Sequence, residues 1–588
     1  MKSFFLSCLF SILATYFPST SFSQSDWAAL SKYCYPISLH GEADQNQRFE
    51  AFKHLLKGRK VVAMGEATHG TREFFEMKHD VMRFLATEMG YRIFTIEAGY
   101  AEALKLDRYV RTGKGDPDQL IGKMGYWCWN TEEVLEMVEW MRAFNKGRAA
   151  ADQIRFLGVD MQTLEGAVHD FITFFKSFPT LPAQDFLPIL ERVEENRIEA
   201  MPEAQQRELQ QAAADIVAFL DKHADFFSPI VSAGGWEAIR MEAKVFQQTA
   251  GRPQQRNNRS YRDSCMAENL LRILQDSGPE AKAFFWAHNG HVRDYTDPLY
   301  GGFNAAGNFL RAELKEKYYV IGFDFAGGEF RAGGNNGLQV WSRNKKFRGT
   351  QQVIHSNIGT DNFLFDLQNA QQDPTTRAQV EALNPLTSIG AVYFPKIPSR
   401  SVEKGPPHPH YDALICMAQT TPARQLTGTM SNYGALRQNI KVKKLTGKPY
   451  RFTAMVRVRH SRYGGNGYLQ VIQSRKGELF AAKMTKSKSV NTVGEWLPLT
   501  VEGTILDKMT DAKVELRIQG DVAIELANPR FEIQEAGQWQ VHPLLNQGFA
   551  TMKDGIPQDW KLKPLNLETK IGEAAPSSKG NSVILGWK

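Results

Sequence analysis

The chain has 588 residues, a length that predicts two or three domains rather than a single hydrophobic core. Hydrophobic residues make up 42% and charged residues 23% of the chain, which excludes a wholly disordered protein. The formal net charge of +7 is small for this length, and lysine and arginine form no long run. The sequence therefore predicts no nucleic-acid partner and gives little support to a membrane-surface role.

The first 23 residues have the pattern of a secretory signal peptide. Lys2 gives a positive start, residues 4–17 are mostly apolar, and residues 21–23 offer small side chains at the cleavage-determining positions. The apolar run is shorter than the ~20 residues that a membrane span needs, and no later run is long enough either. We expect cleavage after Ser23 and a periplasmic or secreted mature protein that has no membrane span.

Four cysteines follow the predicted cleavage site: Cys34, Cys128, Cys265 and Cys416. Four scattered cysteines in a chain of this size do not make a disulfide framework, although an oxidising compartment would permit disulfides. No Cys-x-x-Cys spacing suggests zinc. We expect buried thiols.

A buried strand at residues 61–64 opens a βαβ unit. The helix after it carries apolar side chains at helical spacing: Phe74, Met77, Val81, Phe84 and Leu85. Glu66 and His69 lie in the turn between this strand and the helix, and Glu97 ends the next strand. Because ligands of open α/β sheets bind beyond the carboxyl ends of the strands, these three side chains are candidate site residues.

Five further apolar runs predict strands of the same sheet: residues 154–160, 282–287, 318–323, 390–394 and 412–416. Three of these strands end at ionisable side chains, namely Asp160, His288 and Asp324. Between them, residues 183–260 are rich in Glu, Gln and Ala with a helical period, which predicts a helical insertion or lid. Asp263 lies at the start of the helix that returns to the sheet. The fold class predicted for residues 24–420 is α/β, with a mainly parallel sheet and flanking helices.

After Thr421 the pattern changes to alternating polar and apolar residues, as in residues 450–459 and 514–518. Residues 421–537 are therefore predicted to be an all-β sandwich, similar to the jelly-roll modules that are often attached to carbohydrate-active enzymes. A polysaccharide is one candidate partner for this module, and a purely structural role is equally consistent with the pattern. Residues 538–588 are expected to be a tail or a partial second β module.

The crevice residues favour acid–base chemistry. The chain has no Gly-x-Ser-x-Gly motif for a serine nucleophile. His69 is the candidate general base, because its ordinary pKa near ~6.5 lets it take a proton from water at neutral pH. Glu66 or Glu97 could orient the ring, and His288 could protonate the leaving alkoxide or polarise the carbonyl. The candidate supporting or substrate-binding residues are Arg72, Lys78, Asp160, Asp263 and His291.

A divalent metal site is the alternative use of the same residues. The candidate ligands are Glu66, His69, Glu97, His288 and His291, which have the side-chain types that bind zinc. We expect no cofactor in the main interpretation and a divalent metal in this alternative.

Several separated motifs resemble the erythromycin esterase family, in the right order: residues 65–75, residues 97–100 and residues 286–291. The resemblance extends over about residues 26–419. Members of this family open the macrolide lactone by hydrolysis, in a histidine-centred cleft of an α/β fold. The resemblance implies that His69 is the general base and that Glu66, Glu97 and His288 are site residues. It also implies a basic side chain at Lys78, where some relatives have arginine.

Three hypotheses about function follow. The first is an exported hydrolase of a small-molecule or glycan-linked carboxylic ester or lactone, because the predicted export and the β module depart from cytoplasmic macrolide-resistance enzymes. The second is a metal-dependent hydrolase that uses the same residues as ligands. The third is a non-catalytic envelope protein that binds a glycan through the β module.

Overall fold

The computed structural model describes residues 27–38, 49–179, 182–194, 198, 201–231, 233–255, 258–297, 303–334, 337–343, 361–426, 433–461, 465–475, 483–553, 555–563, 567–572 and 581–587. The predicted signal peptide, residues 1–23, lies outside the described residues. In the described part of the chain, no helix is long and apolar enough to cross a membrane.

A nine-stranded mixed sheet forms the centre of the first domain. Its strands are β1 (Cys34–Pro36), β2 (Val61–Met64), β3 (Ile93–Gly99), β4 (Arg155–Asp160), β5 (Ala283–Trp286), β8 (Tyr318–Gly334), β9 (Gly337–Ser342), β10 (Asn362–Phe365) and β11 (Ala413–Thr420). A separate ladder joins β6 (Thr296–Asp297) to β7 (Phe303–Asn304). The sheet order is β1-β10-β11-β8-β2-β5-β3-β4, with β9 paired to β8. The strands from β11 to β4 are parallel, so their carboxyl ends share one edge.

Helices cover both faces of this sheet. They are α1 (Glu50–Leu55), α2 (Arg72–Glu88), α3 (Tyr100–Thr112), α4 (Pro117–Lys123), α5 (Glu132–Asn145), α6 (Glu165–Lys176), α7 (Leu187–Glu194), α8 (Glu203–Lys222), α9 (Ala224–Phe227), α10 (Ala233–Gly251), α11 (Asn258–Asp276), α12 (Asn289–Val292), α13 (Ala306–Leu314), α14 (Leu367–Gln372) and α15 (Arg377–Glu381). Strands β2, β3 and β5 are buried along their whole length. Covered parallel strands are buried on both faces, which explains their continuous apolar runs.

Three hydrophobic clusters organise the first domain. Helix α2 packs Phe74 and Val81 into the cluster on one face of the sheet, and α11 packs Leu270 into the cluster on the other face. Helices α6 to α10 share a third cluster that includes Phe171 and Phe246. The prediction of an α/β fold with flanking helices is confirmed.

The edge of the sheet beyond β11 differs from the prediction. Residues 390–394 were predicted to be a strand, but they form only isolated bridges, such as that between Val392 and Gly333 of β8. The antiparallel strands β10 and β1 complete the sheet instead. Strand β8 also continues ten residues past Asp324, to Gly334. The edge of the sheet is formed by the strands that find a pairing partner there. Local hydrophobicity does not determine that pairing.

A β-sandwich follows the first domain, as predicted. Its strands are β12 (Tyr433–Lys441), β13 (Pro449–Ser461), β14 (Asn466–Ser474), β15 (Lys483–Lys486), β16 (Leu497–Thr504), β17 (Asp511–Gln519), β18 (Val522–Glu535), β19 (Gln538–His542), β20 (Met552–Lys553), β21 (Ile556–Pro557), β22 (Lys561–Lys563), β23 (Leu567–Gly572) and β24 (Ser582–Trp587). A five-stranded sheet has the order β15-β14-β17-β12-β22, and a six-stranded sheet contains β16-β13-β18-β24-β23 with β19 on β18. Pairing in both sheets is antiparallel, and the inward side chains share one core.

The last residues belong to this sandwich rather than to a separate tail or second module. Strand β22 pairs with β12 in the five-stranded sheet, and β24 pairs with β18 in the six-stranded sheet. Trp560, Val583 and Leu585 are buried in the core of the sandwich. Their burial is the physical reason that the segment joins the sandwich.

Candidate active site

Glu66 lies directly beyond β2 and is completely buried. Its Oε1 is 2.7 Å from Nδ1 of His69, and its Oε2 accepts hydrogen bonds from Nζ of Lys78 at 2.6 Å and from Nε1 of Trp286 at 2.7 Å. Burial raises the pKa of Glu66, but the charges and hydrogen bonds of Lys78 and His69 outweigh it, so the pKa is below the ordinary value. Glu66 is therefore an ionised carboxylate whose two oxygens are both engaged.

His69 is held at the wall of the crevice. Its side chain is 12% exposed, its ring meets Trp129 edge-on, and the centroid of the ring is 4.8 Å from that of His288. Because a carboxylate only accepts hydrogen bonds, the contact with Glu66 assigns the proton to Nδ1 of His69. In this tautomer Nε2 carries the lone pair, so it can accept a proton.

Lys78 is the buried cation behind this pair. It projects from α2 and is completely buried, with Nζ 4.5 Å from the ring centroid of Trp286 and 5.0 Å from that of Phe323. Burial lowers the pKa of Lys78 to about 8, although Glu66 opposes the shift. The Lys78 ammonium therefore supports the charge of Glu66 and does not reach the crevice as a free cation.

His288 lies opposite His69, at the start of the short helix α12. Its Nδ1 accepts a hydrogen bond from the backbone N–H of Gly290 at 3.1 Å, and its buried ring also lies against the backbone of Ile389. Burial and the nearby charge of His69 hold the pKa of His288 well below its ordinary value, so the ring is neutral. Since Nδ1 accepts, the single ring proton is on Nε2, which makes His288 a hydrogen-bond donor.

Asn289 fixes the turn that carries His288. Its backbone N–H donates to the carbonyl of Glu66 at 3.0 Å, and its side chain exchanges hydrogen bonds with the backbone of Phe323 in β8. A Cβ at Gly65 would collide with Asn289, so the close approach of the two turns requires glycine there. Asn289 thus joins the ends of β2 and β5 to the middle of β8, a role that the sequence motif did not reveal.

Glu97 belongs to a second group of charges on the other side of His288. Its Oε2 accepts the backbone N–H of His288 at 3.0 Å, and its Oε1 accepts a hydrogen bond from Arg262 at 2.7 Å. Burial raises the pKa of Glu97, but the charges of His291 and Arg262 outweigh it and hold the pKa well below the ordinary value. Glu97 therefore positions the backbone that carries His288.

Arg262 is the centre of this second group, and we call it together with its partners the arginine cluster. Both oxygens of Asp160 accept hydrogen bonds from Arg262, at 3.0 and 2.6 Å. Asp263 accepts the backbone N–H of Ala306 at 2.9 Å and lies 2.8 Å from Nδ1 of His291. The arginine cluster consists of Glu97, Asp160, Arg262, Asp263 and His291.

Burial and the guanidinium of Arg262, 3.1 Å from Nε2, lower the pKa of His291, but the carboxylates of Asp263 and Glu97 raise it more, to about 10. His291 is therefore a charged imidazolium, unlike His288 three residues earlier. Sequence analysis missed Arg262, although it stands directly before the candidate Asp263 at the start of a helix that leads back to the crevice.

Two other candidates lie apart from the histidines. Arg72 donates to Glu76 one helical turn further along α2, at 2.6 Å, and its side chain is 37% exposed. Asp324 accepts the backbone N–H of Phe325 at 2.8 Å within β8. Neither side chain is a hydrogen-bond partner of His69 or His288 in the described part of the chain.

The four cysteines that follow the predicted cleavage site are all buried, and none forms a disulfide among the described residues.

The donor groups do not fit a divalent metal. Both oxygens of Glu66 and both of Glu97 are already engaged, and the cations of Lys78 and Arg262 lie against them. Within the described ranges, no group of three or more His, Cys, Asp or Glu side chains is arranged to hold a metal ion. The arrangement instead suits proton transfer at His69 and hydrogen-bond donation by His288.

The family model named erythromycin esterase matches residues 86–420, which is more than half of the chain. The chain belongs to the erythromycin esterase family. The matched range contains the arginine cluster and His288, whereas Glu66 and His69 precede it. Membership of the erythromycin esterase family indicates a hydrolase.

Two curated relatives and one solved structure are similar to this family member. The erythromycin esterase type II of Escherichia coli is 24% identical over 314 residues, which are 49% of this chain and 74% of the relative. The putative hydrolase YbfO of Bacillus subtilis (strain 168) is 21% identical over 361 residues, or 55% of this chain and 79% of the relative. The crystal structure of a succinoglycan biosynthesis protein is 20% identical with a TM-score of 0.59, and covers 69% of this chain and 100% of its own. The structural likeness shows the fold alone.

Proposed function

We propose that this protein hydrolyses carboxylic esters or lactones, with water activated by His69 as general base. One observation carries the proposal: His69 is bonded through Nδ1 to the ionised Glu66, and its ring faces a second, neutral histidine, His288, at 4.8 Å between centroids. A base oriented by a carboxylate and a donor placed opposite it are the two groups that ester hydrolysis by water needs.

In the proposed reaction, Nε2 of His69 takes a proton from water while the water oxygen attacks the carbonyl carbon. Glu66 stabilises the imidazolium that forms, and Lys78 keeps Glu66 ionised. When the tetrahedral intermediate collapses, the bond to the leaving oxygen breaks and His69 returns its proton to that oxygen. The products are a carboxylic acid and an alcohol, or a hydroxy acid if the substrate is a lactone.

His288 has the complementary role in this proposal. Its Nε2–H donates a hydrogen bond to the carbonyl oxygen, whose negative charge grows in the transition state. The low pKa of His288 supports this role, because a neutral ring beside the His69 imidazolium avoids a second positive charge in the crevice.

The substrate class that we propose is a small-molecule or glycan-linked ester or lactone, outside the cytoplasm. The names of the relatives include an erythromycin esterase and a succinoglycan biosynthesis protein, which supports testing a macrolide lactone and acylated glycans side by side. The predicted signal peptide supports the compartment, and fractionation of cells that express the full chain would test it.

The decisive experiment compares wild type with His69→Gln on a panel of activated esters, a macrolide and acylated oligosaccharides. We expect kcat/KM to fall by roughly 10²–10⁴ in His69→Gln, because the proton acceptor is lost. The melting temperature should change little, because a glutamine amide can still donate to Glu66. His169→Gln, on the exposed surface of α6, is the matched control and should keep full activity.

The same panel is run after chelator treatment, with elemental analysis of the protein. Activity that survives the chelator in a metal-free sample would support the general-base mechanism. A stoichiometric ion whose removal abolishes turnover would favour the metal alternative, and a folded His69→Gln variant with full activity would contradict the proposal. A wild-type protein that hydrolyses none of the esters would favour the non-catalytic alternative.

A further inference from the structure

The charge of the chain is unevenly distributed between its two parts. Residues 421–588 contain 25 lysines and arginines against 14 aspartates and glutamates, whereas residues 1–420 contain 46 against 50. The β-sandwich therefore carries a net charge of +11 and the preceding part a net charge of −4. Such an asymmetry indicates that the sandwich meets an anionic partner.

The excess cations of the sandwich concentrate on one sheet. Side chains alternate along each strand of the five-stranded sheet, and Leu436, Leu469 and Leu516 point into the core. The alternate positions therefore face outward. Among the described side chains, the basic ones that face outward are Arg437, Lys441, Lys486, Lys513, Arg517 and Lys561. The corresponding acids are Asp511 and Glu515, and we call this surface the basic face.

The register aligns the basic face into a row that crosses all five strands. Lys561 of β22 is opposite Arg437 of β12, which is opposite Glu515 of β17. Glu515 is opposite Gln470 of β14, and Gln470 is opposite Lys486 of β15. Glu515 and Gln470 are buried, so the exposed cations of the row lie at its two ends, Lys561 and Lys486. Since neighbouring strands are ~4.8 Å apart, the row spans roughly 19 Å. An extended chain, rather than a single small molecule, matches this length.

An aromatic ring lies beside this row. Tyr468 is opposite Arg517, and Nζ of Lys486 is 5.6 Å from the centroid of its ring. An aromatic ring on a flat, polar surface offers a stacking platform for a sugar ring. Asn439 and Gln519 add accessible amide groups on the same face, and these both donate to and accept from hydroxyl groups.

The outward surface of the other sheet differs in its charge pairing. Arg457 bonds to the buried carboxylate of Glu525 at 2.7 Å, and Arg451 bonds to that of Glu532 at 2.5 Å. Arg530 also pairs with Glu532, at 2.9 Å.

On the basic face Arg437 pairs with Glu515 at 3.8 Å and Lys441 with Asp511 at 2.5 Å, but its six cations outnumber these two acids. The five-stranded sheet is therefore the better candidate for an anionic ligand because of its excess positive charge.

We propose that the basic face binds an acidic polysaccharide. The cations would pair with carboxylates or sulfates along the polymer, Tyr468 would stack on a sugar ring, and the amides would bond to hydroxyls. The amides of Asn439 and Gln519, on the same face as Tyr468, favour a glycan over a nucleic acid or an anionic membrane, because they can bond to the hydroxyl groups that line a polysaccharide. This inference does not depend on the proposed esterase activity.

The test uses the full chain and measures binding by calorimetry and affinity electrophoresis. The probes are polygalacturonate, chondroitin sulfate, neutral dextran of similar length, single-stranded DNA and vesicles of phosphatidylglycerol and phosphatidylcholine. We expect binding to at least one acidic polysaccharide, weaker at high salt, and no binding to dextran.

Three variants identify the surface. Lys486→Glu/Lys561→Glu reverses two exposed charges at the ends of the row and should weaken binding at least tenfold. Lys443→Glu/Lys444→Glu makes the same change of charge in the exposed turn after β12 and should leave the affinity within about twofold of wild type. Tyr468→Ala should weaken binding without changing its salt dependence. Melting temperatures check that each variant is folded.

The proposal is overturned by an equal loss of affinity in the two double variants, because binding would then follow net charge alone. Absence of binding to both acidic polysaccharides, or tighter binding to DNA or to vesicles than to either of them, also overturns it. Ester hydrolysis is measured on the same variants and should be unchanged, so failure of this proposal is distinguishable from failure of the proposed enzyme function.

Discussion

Glu66 follows β2 and Glu97 lies near the end of β3, on either side of β5 in the parallel sheet, and both are buried carboxylates with a pKa below the ordinary value. Their surroundings nevertheless differ. Glu66 contacts His69, which has one ring nitrogen left to react, whereas Glu97 is enclosed by Arg262, His291 and a backbone N–H. In the proposed reaction, the Glu66 side transfers protons and the Glu97 side holds His288. An ionisable side chain at a strand end is therefore not by itself a catalyst.

Substitution of Arg262 should have the largest effect, because Arg262 is the centre of the arginine cluster. Arg262→Met leaves the buried carboxylate of Asp160 without its counter-charge and Glu97 with His291 alone, and we expect it to destabilise the protein by about 3–5 kcal/mol. Denaturant unfolding measures the loss. Arg262→Lys keeps the charge without the bidentate geometry, so its free energy of unfolding should fall by less. Equal stability of Arg262→Met and wild type would contradict the structural role of the arginine cluster.

His288 should behave as part of the reacting side. His288→Phe removes the proposed donor to the carbonyl oxygen, so kcat should fall by roughly 10²–10³ with a smaller change in KM. Steady-state kinetics on the best ester found measures both constants. The matched control is His410→Phe, at a half-buried histidine that bonds to the backbone of Asp294 and not to His69 or His288. A loss confined to KM would assign His288 to substrate binding instead.

The arginine cluster also predicts a pH dependence of stability. The folded pKa of His291 is about 10, above its ordinary value of 6.5, so its contribution is fully present below pH 6.5 and is lost as the pH rises towards 10. We expect the free energy of unfolding to fall by roughly 1–3 kcal/mol between pH 7 and pH 10 through this group. A plot of the free energy of unfolding against pH should be flatter for His291→Gln than for wild type. Parallel plots would show that His291 is not the titrating group.

Arg72 should have the smallest effect. Its side chain is partly exposed and pairs with Glu76 rather than with the histidines, and such ion pairs contribute ~0–1 kcal/mol. Arg72→Ala should therefore keep its ester hydrolysis within about twofold and its melting temperature within a few degrees of wild type. A loss of activity as large as that of His288→Phe would return Arg72 to the list of substrate-binding residues.

Much of the architecture follows from local patterns. The buried parallel strands are continuous apolar runs, the sandwich strands alternate, and the motif around Glu66 and His69 carries the family resemblance. These features were predictable because they depend on the periodicity of one segment at a time. The edge of the sheet was not predictable in this way, because β10 and β1 are short strands whose position is fixed only by their antiparallel partners.

The arginine cluster could be recognised only in the tertiary structure, for the same reason. Arg262 is 102 residues from Asp160 and 165 residues from Glu97 in the sequence, so no local spacing indicates that they meet. The tail strands β22 and β24 likewise find their partners far away, in β12 and β18.

The sequence by itself determined the alternation of strands and helices, the change to a β-sandwich and the residue types of the crevice, because hydrophobic period and turn chemistry are local. Only the tertiary structure decided which of those residues are neutral, charged or enclosed. Burial and the approach of distant charges set the protonation of Lys78, His288 and His291, and neither quantity exists until the chain has folded.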